Sequence, residues 1–235
     1  MNKNSIIPLY QQLADDIKQQ IIEGKLKEND RLMTELEFSM SYDISRITVR
    51  KAIEILAEEG YVTKRQGIGT FVAAKKLNRV MNKLLSFTEM CENDGKTAST
   101  ELVSLEWTWA AVSVSQYLHI EENDRVMKIV RIRKSDGEPV MLEENYFPSK
   151  YSYLMEEDLT GSVYSILRRH DTTPTHAVKT VEICYATREE AEHLHVKEGL
   201  ALLLHRDQVM DEAGEVIHYC KLIINPERYK LTILT

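Results

Sequence analysis

Ile44-Ser45-Arg46-Ile47-Thr48-Val49-Arg50-Lys51-Ala52-Ile53-Glu54-Ile55-Leu56-Ala57-Glu58-Glu59-Gly60, continued by Tyr61-Val62-Thr63-Lys64-Arg65-Gln66-Gly67-Ile68-Gly69-Thr70-Phe71-Val72, is the stretch around which the chain is organised. In its first half Val49, Ala52, Ile53, Leu56 and Ala57 recur at the i, i+3, i+4, i+7, i+8 spacing of a helix that buries one stripe. Ser45 suits the N-cap, because its hydroxyl can accept from an orphan amide of the first turn. Gly60 can adopt the left-handed conformation that ends a helix. Arg46, Thr48 and Arg50 fall on the face away from the stripe, with Lys51 beside them. Hydroxyls and guanidinium groups at the exposed start of a helix suit the major groove of DNA, where Arg reaches guanine edges and backbone amides meet phosphate. The second half predicts a short hairpin with a Gly-rich, basic tip, Lys64-Arg65-Gln66-Gly67-Ile68-Gly69. After such a helix, this hairpin reads as a wing.

On the N-terminal side, Pro8 to Glu23 predicts a scaffold helix with Leu9, Leu13, Ile17 and Ile21 on one stripe and Gly24 as its stop. Thr34-Glu35-Leu36-Glu37 is a capping box opening a second helix that runs to about Tyr42, and Asp43-Ile44 turns into the next. With the opening Pro8-Leu9-Tyr10-Gln11-Gln12-Leu13 and the tail Arg65-Gln66-Gly67-Ile68-Gly69-Thr70-Phe71-Val72, this region resembles the winged helix-turn-helix of the GntR superfamily of bacterial transcription regulators. The resemblance implies a DNA-binding domain over residues 1–74, acting on a double-stranded operator through Ser45, Arg46, Thr48, Arg50, Lys51, Arg65, Gln66 and Gly67. Two departures stand out. Glu28-Asn29-Asp30 occupies the place of the family's usual Pro-Gly-Asp, and Leu36 that of an Arg which touches DNA in the family, so operator preference is expected to differ.

The 235 residues carry a formal net charge of −7 and are 43% hydrophobic and 29% charged. That is the balance of a globular protein, long enough for two domains with separate cores. Residues 1–75 hold 11 Lys+Arg against 11 Asp+Glu and residues 76–235 hold 19 against 26, so the acid excess lies in the second part. Arg46, Arg50, Lys51, Lys64 and Arg65 concentrate in the predicted helix and wing. A local basic patch on a neutral domain suffices for DNA, with an affinity that leans on dimerisation and falls steeply with salt. No apolar run approaches the roughly 20 residues that span a bilayer, and Met1-Asn2-Lys3-Asn4-Ser5 is no signal peptide. A cytoplasmic protein without membrane contact is expected. Cys91, Cys184 and Cys220 lie far apart without a Cys-x-x-Cys pair, predicting buried thiols rather than disulfides or zinc ligands. No metal and no cofactor is expected.

Ala73 to Lys83 is polar, basic and aperiodic, and predicts a linker at 75–83 whose Lys75, Lys76 and Arg79 are solvated or touch phosphate. From Leu84 onward strands and helices mix. Strands are predicted at Glu101 to Trp107, Arg125 to Lys134, Val140 to Phe147, Val178 to Ala186, Leu200 to Met210 and Val216 to Ile224. Helices are predicted at Ala110 to Leu118, at Ser162 to His170 and from the capping box Thr187-Arg188-Glu189-Glu190. Hairpins turn at Asp136-Gly137 and Glu212-Ala213-Gly214, and the pattern is that of an α+β domain on an antiparallel sheet.

A period of two places Arg131 and Arg133 on one strand face, beside Met127 and Ile129. Two arginines on an apolar face are costly unless they meet an anion. A three-residue loop with Gly137 left-handed sets Arg131 opposite Glu143, while a two-residue loop sets Leu142 there. An internal ion pair and a ligand site are both open on these residues alone.

Leu85-Ser86-Phe87-Thr88-Glu89-Met90, Arg131-Ile132-Arg133, Asp136-Gly137-Glu138-Pro139, Leu142-Glu143 followed by Tyr146-Phe147-Pro148, and Ser162-Val163-Tyr164 together resemble the UTRA effector domain of HutC-type GntR regulators. The resemblance implies a chorismate-lyase-like fold over residues 84–235, a homodimer and a small anionic effector such as a phosphorylated sugar. In members that sense sugar phosphates, the residues matching Ser86, Phe87, Thr88, Arg131, Arg133, Ser162 and Tyr164 surround the phosphate, and the one matching Glu143 holds sugar hydroxyls. Guanidinium forks and hydroxyls suit that oxyanion. His218 stands where those sensors usually have Glu, and Ile224 where they have Tyr, so the sugar-reading side is altered.

The expected whole is an α+β protein, a winged helix-turn-helix joined to an antiparallel-sheet effector domain, working as a repressor. Chorismate-lyase likeness raises an enzyme of small acidic substrates as the alternative, but no nucleophile with a base, Gly-rich phosphate loop or metal motif is present. A winged-helix interaction module would not need Arg46, Arg50 or the basic wing.

Overall fold

The computed structural model describes residues 5–65, 67–73, 76–80 and 84–233. The chain forms two compact units, Met1–Lys75 and Lys76–Thr235.

In the first unit, α1 (Leu9–Ile22), α2 (Glu35–Tyr42) and α3 (Arg46–Glu58) precede the antiparallel hairpin of β1 (Val62–Arg65) and β2 (Gly69–Val72). The local signals act as expected. Thr34 and Glu37 close a reciprocal capping box, the Ser45 hydroxyl accepts from the Thr48 amide at 3.2 Å, and Gly60 has φ +77°. Leu13 and Ile17 of α1 meet Val49, Ala52, Ile53 and Leu56 of α3 in one core that Val62 and Val72 close from the hairpin. Gly69 has φ +141°, and a Cβ there would lie 2.9 Å from Nε of Arg31, so only glycine lets that arginine lie against the hairpin.

The second unit is built on a six-stranded antiparallel sheet of order β4-β5-β6-β9-β8-β7. These strands are β4 (Ala98–Trp109), β5 (Arg125–Ser135), β6 (Glu138–Pro148), β7 (His176–Tyr185), β8 (Ala201–Met210) and β9 (Val216–Ile224). On one face lie α4 (Phe87–Asn93), the 3-10 segment Ser149–Glu156 and α6 (Val163–Arg169), joined by a two-stranded parallel sheet of β3 (Leu77–Val80) and β10 (Tyr229–Thr232). On the other lie α5 (Val112–Leu118) and α7 (Arg188–Leu194). Covering both faces buries Met127, Ile129 and Phe147 on one side and Ile132, Leu142 and Leu204 on the other.

The linker reading of 75–83 is corrected in part: Leu77–Val80 is a strand, and Leu77 and Arg79 are buried. The stretch lacks the apolar alternation of a strand because its partner, Tyr229–Thr232, lies at the far end of the chain. Residues 74, 75 and 81–83 lie outside the described residues.

The Asp136-Gly137 turn resolves the two alternatives in an unanticipated way. Ser135 pairs with Glu138, so the loop has two residues, both with positive φ (52° and 84°). A bulge at Val140 then shifts the register by one, and Arg131 pairs with Glu143 all the same.

Candidate functional site

Arg131 and Arg133 project from β5 into a cavity of about 60 Å³ in the second unit, and both are only 2% exposed. Arg131 donates through Nη2 to Glu143 at 2.5 Å and through Nη1 to the carbonyls of Leu159 and Gly161 at 3.1 and 3.2 Å. Arg133 is held more loosely. Its nitrogens lie 3.4 Å from the Gly161 carbonyl, 3.4 Å from the Thr88 hydroxyl and 3.7 Å from Glu143, and its guanidinium lies over the Phe87 ring. Burial, reinforced by Arg131, pulls the Arg133 guanidinium down to about 10. Burial pushes the Glu143 carboxyl up, but the two arginines outweigh it and hold the group below the ordinary carboxylate range. The internal ion pair therefore exists, and it leaves one buried cation in excess.

Of the residues expected around an effector, Ser86, Phe87, Arg131, Arg133, Ser162 and Tyr164 for its phosphate and Glu143 for sugar hydroxyls line the cavity. Thr88 reaches the site through Arg133. Two hydroxyls are already engaged: Ser86 caps α4 in a capping box with Glu89, and Ser162 caps α6. The phenol of Tyr164 is raised far above its usual range by burial.

The cavity has a second wall that sequence reading did not foresee. Arg79, Asn145, Lys179, His205 and Asp207 form it, next to His218, which the resemblance had already set on the sugar-reading side. Lys179 pairs with Asp207, while Arg79 donates to the Leu85 carbonyl at 2.8 Å and makes no ion pair among the described residues. Burial, with repulsion from Arg79, draws the Lys179 ammonium below the usual lysine range. Burial lowers His205 to about 4 and His218 to about 3, so both imidazoles are neutral near pH 7. His218 stacks on Phe147 with ring centroids 4.8 Å apart, and neither of its ring nitrogens has a hydrogen-bond partner among the described residues. Ile224 is fully buried in the core. No group of three His, Cys, Asp or Glu suited to a metal occurs among the described residues.

In the first unit, Ser45, Arg46 and Arg50 are exposed on α3, and Thr48, half-buried, shares its hydroxyl with Ser45 at 2.8 Å. Arg46 makes no hydrogen bond or ion pair among the described residues, whereas Arg50 forms a two-pronged pair with Glu35 of α2 at 3.1 and 2.9 Å. Lys51 turns away from this group, its ammonium 4.1 Å from the centroid of Tyr10. Arg65 stacks over Phe71 and reaches Asn29 at 3.3 Å. Gly67 has φ +73° at the hairpin tip, and Gln66 lies outside the described residues. Arg31, beside Gly69, and Ile47, 79% exposed at the start of α3, join this surface without a signal in the sequence pattern.

Comparison with known proteins follows this division. Residues 9–72 match the profile of bacterial regulatory proteins of the gntR family, and residues 93–230 match the UTRA domain. The chain is 29% identical to the HTH-type transcriptional repressor NagR of Bacillus subtilis, over 97% of this chain and 95% of that one. It is 31% identical to the probable fructoselysine utilization operon transcriptional repressor of Escherichia coli, over 95% and 91%. The crystal structure of PhnF from Mycobacterium smegmatis superposes with a TM-score of 0.71 at 23% identity, covering 97% of this chain and 99% of that one.

Glu143→Gln leaves both arginines buried without a carboxylate. A loss of about 3–5 kcal/mol is expected in chloride buffer by urea denaturation, partly recovered by added inorganic phosphate. His218 makes stability depend on pH. The unfolded imidazole takes up its proton near pH 6.5, whereas the folded one resists protonation down to about 3. Its contribution is therefore fully present above about pH 6.5 and is lost as pH falls through that window. His218→Gln should flatten the urea midpoint against pH between those limits.

Proposed function

Because the chain belongs to the GntR family of bacterial regulatory proteins and carries a UTRA domain after its helix-turn-helix domain, we propose that it is a repressor that binds a near-palindromic operator as a homodimer and is released, or re-spaced on the DNA, by a small anionic effector. Its relatives along nearly the whole chain are transcriptional regulators, and the chain is a transcription regulator rather than an enzyme. No helix of the described residues is long and apolar enough to cross a membrane. Operator binding sets its place of work in the cytoplasm, with the DNA.

The observation that carries the effector reading is the charge balance on β5 and β6: two guanidinium groups, almost wholly buried, share one carboxylate. An anion entering beside Arg133 supplies the missing charge, and phosphate matches the guanidinium fork. The name of one relative, the fructoselysine utilization operon repressor, supports a sugar-derived effector, and the guanidinium fork favours a phosphate on it.

On DNA, Arg46 reads a base edge and Arg50 leaves Glu35 for a base or phosphate, while Ser45 and Thr48 contact the backbone. Ile47 can meet a thymine methyl, which suits a chain that has Leu36 in place of the family's usual arginine. Arg65 and the Gln66-Gly67 tip enter the minor groove. Dimerisation uses edge strand β7, where Val181, Ile183 and Tyr185 are 42%, 70% and 70% exposed along one face. Effector and operator are linked through the segment joining the two units, so each changes the other's affinity by the same factor.

A gel-shift experiment with the DNA flanking the gene, titrated with phosphorylated sugars, tests the reading. Arg46→Ala and Arg50→Ala should each lose roughly 1–3 kcal/mol of specific binding. Arg133→Gln should keep operator binding and lose release. A shift that no anion relieves would sink the effector assignment. Ile183→Lys should lower the sedimenting mass from dimer to monomer and weaken operator affinity; an unchanged dimer would move the interface off β7.

A further inference from the structure

Buried charge recurs at the far wall of the same cavity in the same proportion. Lys179 of β7 pairs with Asp207 of β8, and Arg79 of β3 lines the same wall with no carboxylate partner among the described residues. All three lie on the cavity face, and Arg79 and Asp207 are 7% and 5% exposed. The pairing register explains how they gather there. Asn145, Cys220, Asp207 and Lys179 stand in one row across β6, β9, β8 and β7, and Glu143 is two residues along β6 from Asn145. The carboxylates of the two charge groups thus rise from strands separated by β9, with backbones roughly 10 Å apart at the usual strand spacing.

Polar atoms left without partners cluster between and around these groups. Asn145 Nδ2, His205 Nε2, Asp207 Oδ1 and both nitrogens of His218 have none among the described residues, although each of these residues is at least nine-tenths buried. Such atoms cost free energy unless a polar molecule meets them. Their layout is that of a site for an elongated, hydroxylated molecule with a charged group at each end.

Building on the proposed function, we infer that the effector carries two acidic groups: a phosphate at Arg131 and Arg133, and a second acid, a carboxylate, at Arg79 and Lys179, with a neighbouring hydroxyl donating to the free Oδ1 of Asp207. An acyclic phosphorylated sugar acid has this chemistry, an acid at each end of a hydroxylated chain. The second anion also stabilises the Lys179 ammonium, which burial and Arg79 disfavour. Neutral His205 and His218 line the middle as hydrogen-bonding partners for hydroxyls.

The test uses two probes that differ only at carbon 1, 6-phosphogluconate and glucitol 6-phosphate, titrated calorimetrically into the full chain. Wild-type protein should bind 6-phosphogluconate at least about ten-fold more tightly. Arg79→Gln and Lys179→Met should each erase most of that preference and leave glucitol 6-phosphate unchanged, whereas Arg133→Gln should weaken both. Equal wild-type affinities for the two probes would overturn the second acid site and leave the anionic-effector reading standing. Failure of both probes and of inorganic phosphate to bind would overturn that reading as well. The wild-type comparison decides even if a variant does not fold.

Discussion

A one-residue bulge at Val140 is the constraint from which the effector unit follows. Side chains alternate along a strand, so a slip of one residue exchanges the two faces of everything beyond it. With the bulge, Met141, Glu143 and Asn145 line the cavity and Leu142 faces α7. Without it, Leu142 would lie beside Arg131, and Glu143 would be driven into the apolar layer under α7. The cost of burying two guanidinium groups is bearable only because the carboxylate arrives on their side. The two positive φ values at Asp136 and Gly137 start the hairpin, and Asp136 ties the turn back to the Thr97 amide at 2.9 Å.

Across the sheet the same logic repeats with different partners. Lys179 and Asp207 are directly opposite one another on adjacent strands, and Arg79 comes to them from a short strand at the start of the unit. Among the described residues each group sets two basic side chains against one carboxylate. A core built only for stability would replace such groups by apolar side chains of similar volume, which commonly cost nothing or stabilise. The retention of both surpluses around one cavity is the physical case for an anionic ligand.

The DNA-binding unit applies a milder version of the rule. Glu35 holds Arg50 across α2 and α3 on an exposed surface, where an ion pair is worth little and exchanges readily for a phosphate or a guanine edge. Lys51 contributes instead by covering Tyr10 of α1. A basic residue on a recognition helix can therefore belong to the scaffold, and its turn of the helix decides which.

Much of this protein was legible in its sequence wherever the cause is local. Capping boxes at Thr34 and Thr187, the stop at Gly60, the helical stripe of Val49 to Leu56 and the alternation around Arg131 act within a few residues and appear in the structure as they read. The tertiary structure alone decided the bulge at Val140, the burial of Arg79 in what reads as a linker, and the meeting of Lys179, Asp207 and His205 with the arginines. Those depend on which strands become neighbours across the chain. A charged residue has no period that reveals its partner, so only the closed sheet shows where its charge is balanced and where it is not.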